Sequence, residues 1–122
     1  WSSEQKSLIL ITGHTHQPVF ESMTHLERLY KQLLLARQNG DEMVINQLQE
    51  AIAFRRQEYD HVSEDYLQLK PCYFNSGCCC FSDGDITGIE IEDGAIRLIK
   101  WKVADATAQR TILEHAVLKD IC

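Results

Sequence analysis

The sequence has no long hydrophobic segment and no excess of positive charge. Its longest apolar runs, Leu8–Ile11 and Leu33–Ala36, fall far short of the roughly 20 residues that span a bilayer, and no signal peptide is evident. Twelve Lys and Arg residues against 18 Asp and Glu residues give a formal net charge of -6. Because such a chain has no basic surface to attract nucleic acid or anionic lipid, we expect no membrane partner, and nucleic acid is not the expected partner. Nucleic acid is expected to bind only if metal ions supply positive charge.

The spacing of cysteines that holds a structural zinc ion is also absent. No CxxC pair occurs, and adjacent cysteines on a strand point to opposite faces, which excludes a regular disulfide framework for the triplet. The sequence therefore predicts reduced thiols and a cytoplasmic protein. Cys78, Cys79 and Cys80 are expected to be small buried strand residues. A cysteine-held zinc ion is the minor alternative. The five cysteines are Cys72, Cys78, Cys79, Cys80 and Cys122.

Between Thr24 and Leu69 there is no proline and only one glycine, Gly40. Apolar residues recur there every three or four positions, first up to Ala36 and again from Ile45 onward, with Arg55 as the one polar interruption, which is typical of helices. Gly40 suits the left-handed residue that ends one helix, and Asp41 suits the cap that begins the next. We predict an antiparallel helical hairpin whose second arm has about 27 residues and a length of roughly 40 Å.

Short β-branched segments on both sides of this region predict strands. Leu8–Thr12 is expected to be a buried strand, followed by a loop up to Phe20. Ile86–Ile91 and Ala95–Val103 flank Asp93-Gly94, a strong hairpin signal, and Arg110–Leu118 favours a closing strand over a helix. The fold class is therefore α+β, with residues 1–122 forming a single partial domain. We divide it into a strand and loop (8–23), the helical hairpin (24–69) and antiparallel strands (71–122).

The loop after the first strand contains Gly13-His14-Thr15-His16. Two histidines separated by one residue project to the same side of an extended backbone. Neutral imidazoles bind zinc, iron and manganese well, and glycine allows the backbone to approach an ion closely. His14 and His16 are therefore candidate metal ligands. The simpler alternative is a pair of exposed loop histidines without a function.

The sequence around this loop resembles a known family. The segment from Leu8 to Pro18 is similar to the last metal motif of the calcineurin-like metallophosphoesterases, in which a core strand leads into Gly-His-x-His and often a proline. The later segment Tyr73-Phe74-Asn75-Ser76-Gly77-Cys78 resembles the Asn-Thr-Gly strand that follows in many members. The hairpin from Ile86 to Trp101 resembles the closing strands.

This resemblance implies a metal-dependent phosphoesterase. His14 and His16 would each bind a different one of two divalent ions (Mn, Fe or Zn), which activate a water molecule for attack on a phosphate-ester substrate. It also makes Gly13 and Asn75 candidates for residues that support the ligand loop. A plain turn or bulge residue is the simpler interpretation of Asn75.

The sequence departs from the family in lacking its other motifs. Asp-x-His, Gly-Asp-x-x-Asp and Gly-Asn-His-Asp/Glu do not occur, and two histidines cannot hold two metals. We interpret the chain as a C-terminal fragment, a partial β-sandwich with an inserted helical hairpin. Alone it is not expected to catalyse and need not bind either ion, and it is expected to form a homo-oligomer. The alternative is a non-catalytic oligomerisation or protein-interaction module that uses the hairpin. No role is assigned to His25, His61 or His115.

Overall fold

A computed structural model describes residues 8–57, 62, 67–78 and 84–121. These residues form helices and two β-sheets, so the predicted mixture of α and β structure is confirmed. The chain divides into two compact units, one made of the residues up to Ser22 and from Lys70 onward, the other of Met23–Leu69. In chain order the elements are β1 (Leu10–Thr12), β2 (Val19–Phe20), β3 (Met23–Thr24), α1 (His25–Asn39), α2 (Glu42–Arg55), β4 (Tyr73–Asn75), β5 (Ile86–Glu92), β6 (Ala95–Ala104), β7 (Thr107–Val117) and α3 (Leu118–Ile121).

The first sheet has the strand order β1-β4-β2-β3. β1 runs parallel to β4, with Thr12 opposite Asn75, while β2 runs antiparallel to β4. The expectation of a buried first strand from Leu8 to Thr12 is wrong in part. β1 is shorter and lies at the edge of the described sheet, and Ile11, on the face opposite Leu10 and Thr12, is 43% exposed.

The second sheet is antiparallel, in the order β5-β6-β7. Asp93 and Gly94 both have positive φ, 50° and 72°, as a tight two-residue hairpin turn requires. The predicted hairpin is therefore confirmed, and the uncertain segment after Arg110 lies in strand β7. Central strand β6 buries Ile96 on one face and Ile99 on the other.

An apolar core joins the two sheets within the first unit. Phe20 and Phe74 pack edge to face, with ring centroids 5.0 Å apart. They contact Ile96 and Leu98 of β6 and Ile121 of α3. Burial of these large side chains holds β2, β4 and β6 against each other. The core therefore fixes the strand ends from which the loops of interest emerge.

The second unit contains two helices that pack on each other. Thr24 and Glu27 form a capping box at the start of α1. Gly40 ends α1 in a left-handed conformation (φ 71°), and Asp41 caps α2 through Val44 N–H, so both predictions for this turn are confirmed. The buried core of this unit consists of Leu26, Leu29, Leu33 and Ile52.

The predicted length of the second helical arm is wrong. α2 has 14 residues and ends at Arg55, whereas α1 has 15, so neither helix extends past the other. Residues 55–57 are two arginines and a glutamine, which offer no apolar surface to another helix. Because α1 begins at His25, a longer second arm would have no helix to pack against. The predicted stripe positions Tyr59 and Tyr66 lie outside the described residues.

Candidate metal-ligand loop

His14 and His16 lie in the segment that connects β1 to β2, and both are exposed. β1 ends at Thr12, and His14 has a φ of 79°, a left-handed conformation that is uncommon outside glycine. The argument that an extended backbone directs both rings to one side is therefore wrong, because the backbone is not extended here. A non-glycine residue held in this conformation is a feature that concentrates at functional sites.

Two backbone hydrogen bonds attach this loop to the end of β4. Ser76 N–H donates to Thr12 O and His14 N–H donates to Gly77 O, both at 3.0 Å. These bonds continue the parallel pairing of β1 with β4 beyond the ends of both strands. They bring the Gly-His-Thr-His loop against the Asn-Ser-Gly segment, although the two are separated by about 60 residues in sequence.

The side chain of Asn75 is buried, with 1% exposure, and both donates and accepts hydrogen bonds. Its Nδ2 donates to Thr12 Oγ1 at 2.9 Å and to the Tyr73 hydroxyl at 3.0 Å. Its Oδ1 accepts a hydrogen bond from Gly77 N–H at 2.8 Å. One side chain thereby links the end of β1 to the turn that receives His14.

Two glycines permit the close approach of these segments. Gly77 has a φ of 81°, and a Cβ there would lie 2.6 Å from Thr87 Oγ1 and 3.0 Å from Pro18 Cγ. A Cβ at Gly13 would lie 3.1 Å from Ser76 Oγ. The loop, the Asn-Ser-Gly segment and β5 therefore meet where a side chain at Gly77 would not fit.

Cys78 contacts the second histidine of the loop. Its Sγ lies 3.5 Å from His16 Nδ1, and the residue is 7% exposed. The sequence predicts the burial of Cys78 but not this contact, because no spacing rule connects residues 62 positions apart. The predictions for Cys79 and Cys80 lie outside the described residues, as does His61.

The donor set fits part of a metal site. Imidazole and thiolate are good zinc ligands, yet within the described ranges no group of three or more His, Cys, Asp or Glu side chains could hold an ion. Among the described residues, therefore, His14, His16 and Cys78 do not by themselves make up a complete metal site. Two other described histidines, His25 on α1 and His115 on β7, are exposed and belong to other elements.

Comparison with protein-family models, with curated proteins and with solved structures gave no match. In the part of the chain that the structure describes, no helix has the length and apolar character needed to cross a membrane.

Proposed function

We propose that this chain is the C-terminal part of a calcineurin-like metallophosphoesterase, in which His14 and His16 each donate an imidazole to one of two divalent ions. The observation that carries the proposal is the pair of backbone bonds, Ser76 to Thr12 and His14 to Gly77. The two segments that resemble consecutive motifs of that family are neighbours at the ends of adjacent parallel strands. Such strand ends are where α/β proteins commonly bind ligands.

The chain's own contribution is a preorganised ligand loop. The bonds of Asn75 and Gly77 hold the backbone that carries the histidines. The ions would supply Lewis acidity and a nucleophile for phosphoryl transfer. The described residues supply no third ligand, and the proposal assigns the remaining ligands to other parts of the complete gene product. The finer fold that we propose is a partial β-sandwich of this family with α1 and α2 as an inserted helical hairpin.

The test is metal content and hydrolysis in the complete gene product that contains this chain. We expect about two divalent ions per chain and hydrolysis of an aryl phosphate. His14→Ala and His16→Ala should each abolish most activity and reduce the bound metal. His115→Ala changes an exposed histidine of β7 and is the matched control, with metal content and rate unchanged.

Two results would overturn the proposal. One is a complete gene product that binds no Mn²⁺, Fe²⁺ or Zn²⁺ at pH 8. The other is metal content and hydrolysis that survive both His14→Ala and His16→Ala. If His115→Ala lost as much bound metal and activity as the His14 and His16 variants, the losses would not be specific to the loop. That result would also count against the proposal.

A second candidate function is self-association through the helix pair. This alternative is favoured by apolar side chains that α1 and α2 leave exposed, of which Met43 (71%) and Phe54 (64%) are the most exposed. Burying side chains of this size in an interface contributes roughly 1.5–3 kcal/mol each. The occupant that we propose is a second copy of the chain. The exposed apolar residues are Leu34, Leu35, Met43, Val44 and Phe54.

Sedimentation equilibrium over a range of protein concentrations tests this candidate. The double variant Met43→Lys with Phe54→Lys should weaken association by at least about tenfold. Ile91→Lys places the same charge on an equally apolar residue of β5, 54% exposed, and should leave association unchanged. A monomer at all concentrations, or equal weakening by Ile91→Lys, would reject the helix pair as the interface.

A further inference from the structure

The turn between α1 and α2 contains the dipeptide Asn39-Gly40. Asn39 is the last residue of α1 and is exposed, and Gly40 follows it with a φ of 71°. A Cβ at Gly40 would lie within 4 Å of no atom of the described residues beyond its chain neighbours. The side-chain amide of Asn39 is therefore followed by a backbone nitrogen that no side chain shields.

The hydrogen bonds of the Gly40 backbone are those of a helix end. Gly40 N–H is shared between Ala36 O and Arg37 O, the latter at 3.3 Å, and Asp41 N–H donates to Ala36 O at 3.2 Å. Shared and long bonds at a helix terminus break more readily than those of the helix interior. When this last turn opens, the Gly40 nitrogen is released and the backbone of Asn39 is free to rotate.

The sequence has two other asparagines, and neither combines these features. Asn75 is buried, its side-chain nitrogen and oxygen are both hydrogen-bonded, and the following Ser76 N–H is bonded as well. Asn46 is exposed but lies within α2, where helical hydrogen bonds hold the backbone, and the next residue, Gln47, has a large side chain. Asn39 is therefore the asparagine whose amide and neighbouring nitrogen are the most accessible to each other.

We propose that Asn39 is a site of spontaneous deamidation that is controlled by opening of the last turn of α1. The Gly40 nitrogen loses its proton and bonds to Asn39 Cγ, and the bond from Cγ to the side-chain nitrogen breaks, so that ammonia leaves. Water then adds to the cyclic imide and breaks one of its two C–N bonds. The product is aspartate when the bond to Cγ breaks, and isoaspartate when the bond to the backbone carbonyl carbon breaks. The reaction consumes only water.

Either product changes the end of α1. A carboxylate at position 39 lies at the negative end of the helix dipole and close in sequence to Asp41 and Glu42, so it is repelled by both. Isoaspartate also lengthens the main chain by one carbon, which moves Gly40 and Asp41 out of register with Ala36 O. Because ammonia is lost to solvent, the turn between the helices is weakened permanently.

Peptide mapping by mass spectrometry follows the reaction in the 122-residue chain, kept in mildly alkaline buffer with and without urea. In the folded chain we expect Asn39 to lose its amide well before Asn75 and before Asn46, which is the matched exposed asparagine. In urea the turn is open throughout, so conversion of Asn39 should be faster by about tenfold or more. An Asn39 that stays intact in the folded chain, equal conversion of the three asparagines, or a rate that urea does not change would overturn the proposal.

The effect on the helix end is measured with the aspartate product itself. Asn39→Asp should lower the urea midpoint of the helical circular dichroism signal. Asn46→Asp makes the same change nearer the N-terminal end of α2 and should leave the midpoint unchanged or raise it. An unchanged midpoint in Asn39→Asp, or an equal loss in Asn46→Asp, would overturn the inferred weakening of the turn.

Discussion

His14 and Gly77 are joined by a backbone hydrogen bond of 3.0 Å, and both residues have left-handed backbone conformations. Their φ angles are 79° and 81°. A left-handed conformation has little cost for glycine but about 1–2 kcal/mol for a residue with a side chain. The bond therefore links a position where glycine is required to one where histidine occurs despite the cost.

The first prediction concerns Gly77. Gly77→Ala should lower the free energy of unfolding by roughly 2–5 kcal/mol, from about 1–2 kcal/mol for the left-handed backbone and about 1–3 kcal/mol for overpacking. The overpacking arises because the new Cβ would lie 2.6 Å from Thr87 Oγ1. Urea denaturation followed by circular dichroism measures the change.

Gly84→Ala is the matched control for this prediction. Gly84 has a similar φ of 75°, but a Cβ there meets no atom of the described residues within 4 Å. Only the backbone cost of about 1–2 kcal/mol should appear. Equal losses at Gly77 and Gly84 would show that the close approach at Gly77 contributes nothing.

The second prediction concerns Asn75. Asn75→Ala should lower the free energy of unfolding by about 2–3 kcal/mol, because Gly77 N–H loses its acceptor inside the protein. Asn46→Ala, at an exposed position of α2, should change it by less than about 0.5 kcal/mol. Thermal or urea unfolding of the two variants gives the comparison. If Asn75→Ala left the free energy of unfolding unchanged, the hydrogen bonds of Asn75 would not stabilise the loop.

Sequence reasoning located the features that depend on local chemistry. Asp93-Gly94 and Gly40-Asp41 each determine a turn through backbone conformations that only a few residue types adopt readily, and the structure has those turns. The strands that flank Asp93-Gly94 followed from alternation over short segments. The residues that determine each of these turns and strands lie within about ten positions of one another in the sequence.

The features that sequence reasoning missed depend on distant residues. The left-handed backbone of His14 follows from its bond to Gly77, which arises when β1 pairs with β4. The contact between Cys78 and His16 has the same origin. A single sequence gives no sign of which strands pair across such distances.

The third prediction uses the ion pairs of the second sheet. Glu90, on β5, accepts hydrogen bonds from Arg110 of β7 and from Arg97 of β6, the latter at 3.2 Å. The hydrogen bond and positive charge of Arg110, together with those of Arg97, lower the pKa of Glu90 below its ordinary value of 4.5. A carboxylate whose pKa is lower in the folded state stabilises the fold above its unfolded pKa. That stabilisation is lost as the pH falls through the folded pKa.

Glu90→Gln should therefore be less stable than the wild type at pH 7, and the difference should shrink below pH 4.5 and vanish at still lower pH. Urea unfolding at a series of pH values measures it, and 1 M salt should reduce it. Glu92→Gln is the control, because the Glu92 side chain is 66% exposed and has one ion pair at 3.5 Å. If the stability difference between Glu90→Gln and the wild type stayed constant with pH, the stabilisation by Glu90 would not be ionic in origin.

The fourth prediction separates stability from function at His14. If the left-handed backbone is retained for the sake of the imidazole, glycine should be the more stable residue there. His14→Gly should exceed His14→Ala in free energy of unfolding by roughly 1 kcal/mol, since alanine keeps the Cβ that disfavours this conformation. Both variants should lose metal binding in the complete gene product.

His16 is the control position, because it is not among the residues with positive φ. There the alanine variant should be more stable than the glycine variant, by about 0.5–1 kcal/mol, because glycine only increases the entropy of the unfolded chain. If the stability difference between the glycine and alanine variants had the same sign at both positions, the backbone conformation of His14 would not be strained. Its occurrence in the loop would then say nothing about selection for a ligand.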